Sequence, residues 1–138
     1  MAWKNEGQHL PKIAASNIGQ YVCVQADPTT DNQVVVAGSC NVIPWGISQA
    51  SVPTYGMAIG VQIDKVSKVL VAASVGAGAL VMVASNNGAV GPASWPAAAP
   101  SGGASAGAAG RAYAIGIINE ARGPGEYGSV FISPREIV

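Results

Sequence analysis

Charge is what this 138-residue chain has least of. Asp, Glu, Lys and Arg make up 10% of it, seven of each sign, so the formal net charge is zero. An ordinary soluble domain carries about 25%. Scattered cations at zero net charge make no electrostatic footprint for duplex nucleic acid, and none is expected as a partner. Aromatics are scarce too, at 6% with a single Phe, which leaves few stacking platforms. His9 is the only histidine, and Cys23 and Cys40 are the only cysteines. Ser–His or Cys–His catalysis would hang entirely on His9. One His with two distant Cys matches no zinc pattern. No metal, cofactor or disulfide framework is expected, and the two cysteines read as buried free thiols.

Long apolar runs are also missing. Val69 to Ala84 falls short of the ~20 residues of a spanning helix, and Gly76 and Gly78 interrupt it. No membrane partner is expected. Met1 to His9 holds no apolar stretch of the signal-peptide kind, so no signal peptide is expected. Helical stripes are absent as well: the alanines sit beside Gly, Val and Pro, leaving at most a turn or two around Ala50.

Apolar residues are abundant, at 49%, with 18 Gly and 9 Pro. High apolar content at zero net charge opposes disorder. A surface so poor in charge guards weakly against self-association, which points to work inside a larger assembly. Residues 1–18, with Lys4, Glu6, His9 and Lys12, show neither period and read as an extended arm. From Gln20 onward the signal is β. Strands are expected at Tyr21–Gln25 and Gln33–Ala37, around the turn formers Asp27 to Asn32. A further strand at Asn41–Ile47 is broken by Pro44. Others follow at Met57–Ile63, Val66–Ala73 and Ala79–Ala84, then a hairpin turn at Ser85-Asn86-Asn87-Gly88. Every residue of 91–110 except Trp95 is Gly, Ala, Ser or Pro, which builds no core and reads as a long loop. Strands resume at Arg111–Asn119 and Tyr127–Ser133.

Two segments echo each other. Trp45-Gly46-Ile47 leads through Pro53 to Tyr55-Gly56 and a strand. Ile115-Gly116-Ile117 leads through Pro124 to Tyr127-Gly128 and a strand. They read as two related strand–loop–strand units within one small barrel or sandwich. The fold class is therefore mainly β: a small single-domain β-barrel or β-sandwich over 19–138, with an N-terminal arm over 1–18 and little helix.

Motifs of catalysis fail on context. Gly123-Pro124-Gly125-Glu126-Tyr127-Gly128 spells a dinucleotide fingerprint, but a strand rather than a helix follows it, and Pro124 lacks an amide hydrogen. Gly46-Ile47-Ser48-Gln49-Ala50 only faintly resembles a nucleophile elbow. Asp27 and Asp31 flank a turn that explains them without a cation. The chain is not expected to be an enzyme; a deep acid-lined pocket would revive a hydrolase.

The polar arm, the Gly-Ile units at Pro44-Trp45-Gly46-Ile47 and Ala114-Ile115-Gly116-Ile117, and the stretch Gly76 to Gly88 together resemble the head-decoration (capsid cement) proteins of tailed bacteriophages. The resemblance spans roughly Gly19 to Ser133. It implies a structural virion protein, made in the host cytoplasm and placed on the outer capsid surface. There it would cement neighbouring capsomers, as a homotrimer at three-fold or quasi-three-fold sites. Its partners would be the major capsid protein and itself. An arm that orders on the shell could add a strand to an exposed sheet edge. Trp3 is then the expected anchor, with Lys4, Leu10 and Ile13 beside it. The alternative is a carbohydrate-binding or adhesin-like β module using a row of Trp45, Trp95 and Tyr55.

Overall fold

The computed structural model describes residues 9–53, 56–93 and 112–137. Among these, ten strands follow one another: β1 (His9–Ala14), β2 (Cys23–Ala26), β3 (Gln33–Val36), β4 (Gly46–Ser48), β5 (Ala58–Gln62), β6 (Val66–Leu70), β7 (Leu80–Val83), β8 (Val90–Pro92), β9 (Ala112–Ile118) and β10 (Tyr127–Ile137). Among the described residues there is no helix. The first five strands form a closed barrel in the order β1-β3-β2-β4-β5, and the last five form a sheet in the order β6-β10-β9-β7-β8. The mainly β fold expected from the sequence is what the chain adopts, and of the two architectures left open, barrel or sandwich, the first half is a closed barrel.

The two halves are copies of one plan. In the barrel, β1 runs parallel to β3 and antiparallel to β5. In the second unit β6 pairs antiparallel with β10, and a parallel bridge joins Val71 to Val90, bringing its two edges together. Details repeat as well. Ile18 and Val52 exchange backbone hydrogen bonds of 2.9 and 2.8 Å, and Val75 and Arg122 do so at 2.9 and 3.1 Å. The amides of Gly56 and Gly125 each donate to a carbonyl at 2.8 Å, that of Ala14 and that of Val71. Both glycines have positive φ, at 93° and 84°.

Alternation within each strand builds the interiors. Ala14, Ile18, Val24, Val34, Ile59 and Val61 fill the barrel. The matching side chains Val71, Val75, Val81, Val90 and Val130 line the second unit, in a cluster that also takes in Cys23 and Ile47 from the outside of the barrel. That shared cluster joins the two units.

The sequence echo holds at its first half and slips at its second. Gly46 and Gly116 occupy equivalent places: a Cβ on either would run into a carbonyl oxygen across the ladder, of Gln62 and of Phe131 respectively. The echo lies one copy in each unit, not both in one barrel. The counterpart of Gly56 is Gly125, not Gly128.

Two further expectations are corrected. The arm drawn as residues 1–18 contains a barrel strand: β1 lies against β5 from His9 to Ile13, and Ala14 and Ile18 are fully buried. Pro11 and Lys12 hide it by breaking the alternation. Pro11 faces Gly60 where, among the described residues, β5 is the one strand beside β1, so its missing amide hydrogen breaks no described ladder. The loop drawn at 91–110 overlaps a strand at its start: Gly91 and Pro92 pair with Met82 and Val81 at the edge of the sheet, and 94–110 lie outside the described residues. Pro134 is absorbed by a register shift between Ile132 and Arg135, which lets β10 continue to Ile137.

Candidate interaction surface

The residues expected to grip a partner are placed as follows. Trp3 and Lys4 lie outside the described residues. Leu10 pairs with Val61, and Ile13 with both Gln33 and Ala58. The Ile13 amide donates to the Asn32 carbonyl at 3.1 Å. The backbone of 9–14 is thus committed to the barrel, and Leu10 and Ile13 belong to a wall, not to a free strand.

The joint between the units carries a side-chain cluster that sequence reading missed. Tyr21 holds φ at 60°, a conformation unfavourable for a bulky residue by about 1–3 kcal/mol. At the equivalent place the second unit has Gly78, at 80°. Tyr21 is kept there by two hydrogen bonds: its amide donates to the Ser48 carbonyl at 2.9 Å, and the Leu70 amide donates to its carbonyl at 2.8 Å. Its ring meets that of Tyr127 edge-on, with centroids 5.7 Å apart and planes at 80°. The Lys68 ammonium stands 5.7 Å from the Tyr21 ring centroid.

Beside this pair is a cavity of about 240 Å³ lined by Lys68, Glu120, Arg122, Tyr127, Gly128 and Ser129. Its polar groups mostly serve the fold. The Glu120 carboxylate accepts hydrogen bonds from the amide and hydroxyl of Ser129 and has Arg122 Nη2 at 3.9 Å. Arg122 Nε donates to the Tyr127 carbonyl at 3.0 Å and Nη1 to that of Ala121 at 2.8 Å. The arrangement suits contact with another surface, with two Tyr, an Arg and an exposed Lys.

A second cavity, of about 200 Å³, is lined by Lys12, Trp45, Asn32 and the turn acids Asp27 and Asp31. Asp27 Oδ1 accepts from the amide and hydroxyl of Thr29, at 2.9 and 2.8 Å, which is turn chemistry. Trp45 packs on the barrel interior, and the Lys12 ammonium sits 4.4 Å from its ring centroid. The indole is half-buried and lines this cavity with Lys12 over its ring. Its expected companions Tyr55 and Trp95 lie outside the described residues.

Cys23 and Cys40 are free and buried. Burial pushes the Cys23 thiol up to about 12 and raises that of Cys40, so neither supplies a thiolate nucleophile. Among the described residues no group of three or more His, Cys, Asp or Glu gathers as metal ligands would.

No protein-family model matches the chain, and no curated protein sequence matches it. A solved structure does: the crystal structure of the head fiber gp8.5 N base in bacteriophage phi29. The likeness covers 91% of this chain and 93% of that one, with a TM-score of 0.67 and 16% identity. The fold is shared.

Proposed function

We propose that the chain is a non-enzymatic structural protein of a tailed-phage virion. It decorates the outer capsid surface and cements neighbouring capsomers, as a trimer at three-fold or quasi-three-fold sites. The observation that carries this reading is the fold held in common with a phage head fiber base over nearly the whole of both chains. The charge-poor composition supports it, because a surface with few charges suits permanent packing against other subunits. The partners are the major capsid protein and further copies of the chain. Trp3 and Lys4, upstream of the barrel, make the contact with the shell. Three such contacts on one trimer raise the effective concentration, so each can be weak.

The barrel limits how this is tested. Removing residues 2–18 would take out β1 and with it the barrel, so the informative deletion is 2–8. Co-sedimentation with expanded phage heads should show the full chain in the pellet and the 2–8 deletion and Trp3→Ala in the supernatant, all three with the same circular dichroism. Full-chain protein that never pellets with heads refutes the decoration role. Pelleting untouched by the deletion refutes the assignment of the contact to Trp3 and Lys4.

A further inference from the structure

The chain contains one Asn-Gly dipeptide, Asn87-Gly88. Every other asparagine is followed by a residue with a Cβ: Glu6, Ile18, Gln33, Val42, Asn87 or Glu120. That difference is chemical. In Asn-Gly no side chain on the second residue hinders the approach of its backbone nitrogen to the asparagine side-chain carbonyl, so closure to a five-membered succinimide is easiest there. The joint between the units explains why the labile pair is present. Gly88 has φ at 83°, and a Cβ on it would meet the Cys23 carbonyl oxygen at 2.7 Å and Val22 Cβ at 3.0 Å. Its own carbonyl accepts from the Cys23 amide at 2.9 Å. The hairpin between β7 and β8 touches the barrel through a residue that has to be glycine.

In the folded chain the turn withholds the reaction. The Gly88 amide donates to the Ser85 carbonyl at 3.1 Å. Asn87 Oδ1 accepts from Ser85 Oγ at 2.7 Å and from the Ala89 amide at 3.1 Å. Ring closure requires the Gly88 nitrogen to leave Ser85 and turn toward Asn87 Cγ. That rotation carries the Gly88 carbonyl away from Cys23, and Gly88 is buried against the barrel. Asn87 itself is exposed, so water reaches it once the turn lifts.

We propose that Asn87-Gly88 is a self-modification site, held shut by the closed joint and released when the joint opens. In the open chain the Gly88 nitrogen, its proton taken by hydroxide, bonds to Asn87 Cγ. The bond from Cγ to the side-chain nitrogen breaks, and that nitrogen leaves as ammonia. Water then opens the ring at one of its two carbonyls. One product is aspartate on the original main chain; the other is isoaspartate, whose main chain runs through Cβ and Cγ. Water enters, ammonia leaves, and no oxidation state changes. Isoaspartate lengthens the main chain by one carbon between β7 and β8. It displaces Gly88 from Cys23 and upsets the pairing of Val83 with Val90. A joint that stays open long enough to react cannot close again.

The whole chain, held in mildly alkaline buffer with and without denaturing guanidinium chloride, tests this. Peptide mapping follows Asn87, with mass spectrometry for the gain of one dalton and enzymatic methylation for isoaspartate. Unfolded chain should convert at Asn87 before any other asparagine. Folded chain should convert there at least roughly ten-fold more slowly, because modification of a transiently open state follows the population of that state. Equal rates overturn the gate, and an unfolded chain that converts first at another asparagine overturns the site. Refolding tests the consequence. Chain aged in denaturant is diluted and read by near-ultraviolet circular dichroism, to which the Tyr21–Tyr127 contact across the joint contributes. The isoaspartate fraction should stay non-native. Wild type unfolded only briefly, and Asn87→Ser aged for the same time, should recover the native signal. Isoaspartate-containing chain that recovers it, or Asn87→Ser that loses as much on ageing, overturns the blocked return.

Discussion

Replacing Gly116 with Ala should be among the most damaging single-methyl changes in the chain. A Cβ there would collide with the Phe131 carbonyl oxygen, with the Phe131 carbonyl carbon at 2.9 Å and the Ser133 amide nitrogen at 3.1 Å. All three are backbone atoms of β10, so no side chain can swing aside. Relief requires β9 and β10 to separate where Gly116 faces Ile132. Overpacking of this kind costs about 1–3 kcal/mol, and each ladder hydrogen bond stretched beyond use adds about 1 kcal/mol. The expected loss is about 2–4 kcal/mol, which for a domain of this size lowers Tm by roughly 10 °C. Gly60→Ala is the matched control. Gly60 also lies in a strand, but its Cβ would meet nothing within 4 Å, and replacing a strand glycine by Ala gains about 0.5–1 kcal/mol. Urea unfolding followed by circular dichroism measures both. Gly116→Ala within about 0.5 kcal/mol of wild type would refute the steric argument and, with it, the equivalence drawn between Gly46 and Gly116.

Other consequences can be checked on the same purified protein. The Cys23 thiol, raised from 9.0 to about 12 by burial, stays protonated in the folded state while the unfolded chain ionises. Stability should thus be unaffected by this group below pH 9 and fall as pH rises from 9 to 12, by at most about 1.4 kcal/mol per pH unit. Urea midpoints at about pH 8 and about pH 10.5 should diverge for wild type more than for Cys23→Ala. Lys12→Ala should cost about 0.5–1 kcal/mol through the lost contact with Trp45 and shift tryptophan emission to longer wavelength. Glu120→Ala leaves the Ser129 amide and hydroxyl without their carboxylate partner and should lower stability by about 1–2 kcal/mol, read by the same unfolding assay.

Much of the fold was legible because burial writes a period of two into the strands. The run Gln33-Val34-Val35-Val36 and the turn residues of Asp27–Asn32 announce a hairpin, and Asn87-Gly88 announces another. β1 was not legible, because a proline and a lysine occupy positions where a barrel wall usually carries β-branched side chains. β8 was lost because Gly91 and Pro92 look like the Gly/Ala/Ser/Pro run of sequence that follows them. The duplication showed in part: Gly46-Ile47 and Gly116-Ile117 match because close strand approach demands glycine at both. Tyr-Gly misled, since the shared element there is a left-handed glycine facing the Ala14 or Val71 carbonyl, and Tyr127 is simply the first residue of β10. The surface was the least visible part. The Tyr21–Tyr127 contact joins residues far apart in sequence, and only the packing of one unit on the other brings them together.

The central claim, a structural role on the outside of a phage head, is tested most directly by electron cryomicroscopy of expanded heads incubated with the purified chain. The account predicts added density on the outer surface at fixed lattice positions between capsomers, into which the two five-stranded units fit. Heads indistinguishable from untreated ones, with the chain left in solution, would contradict it.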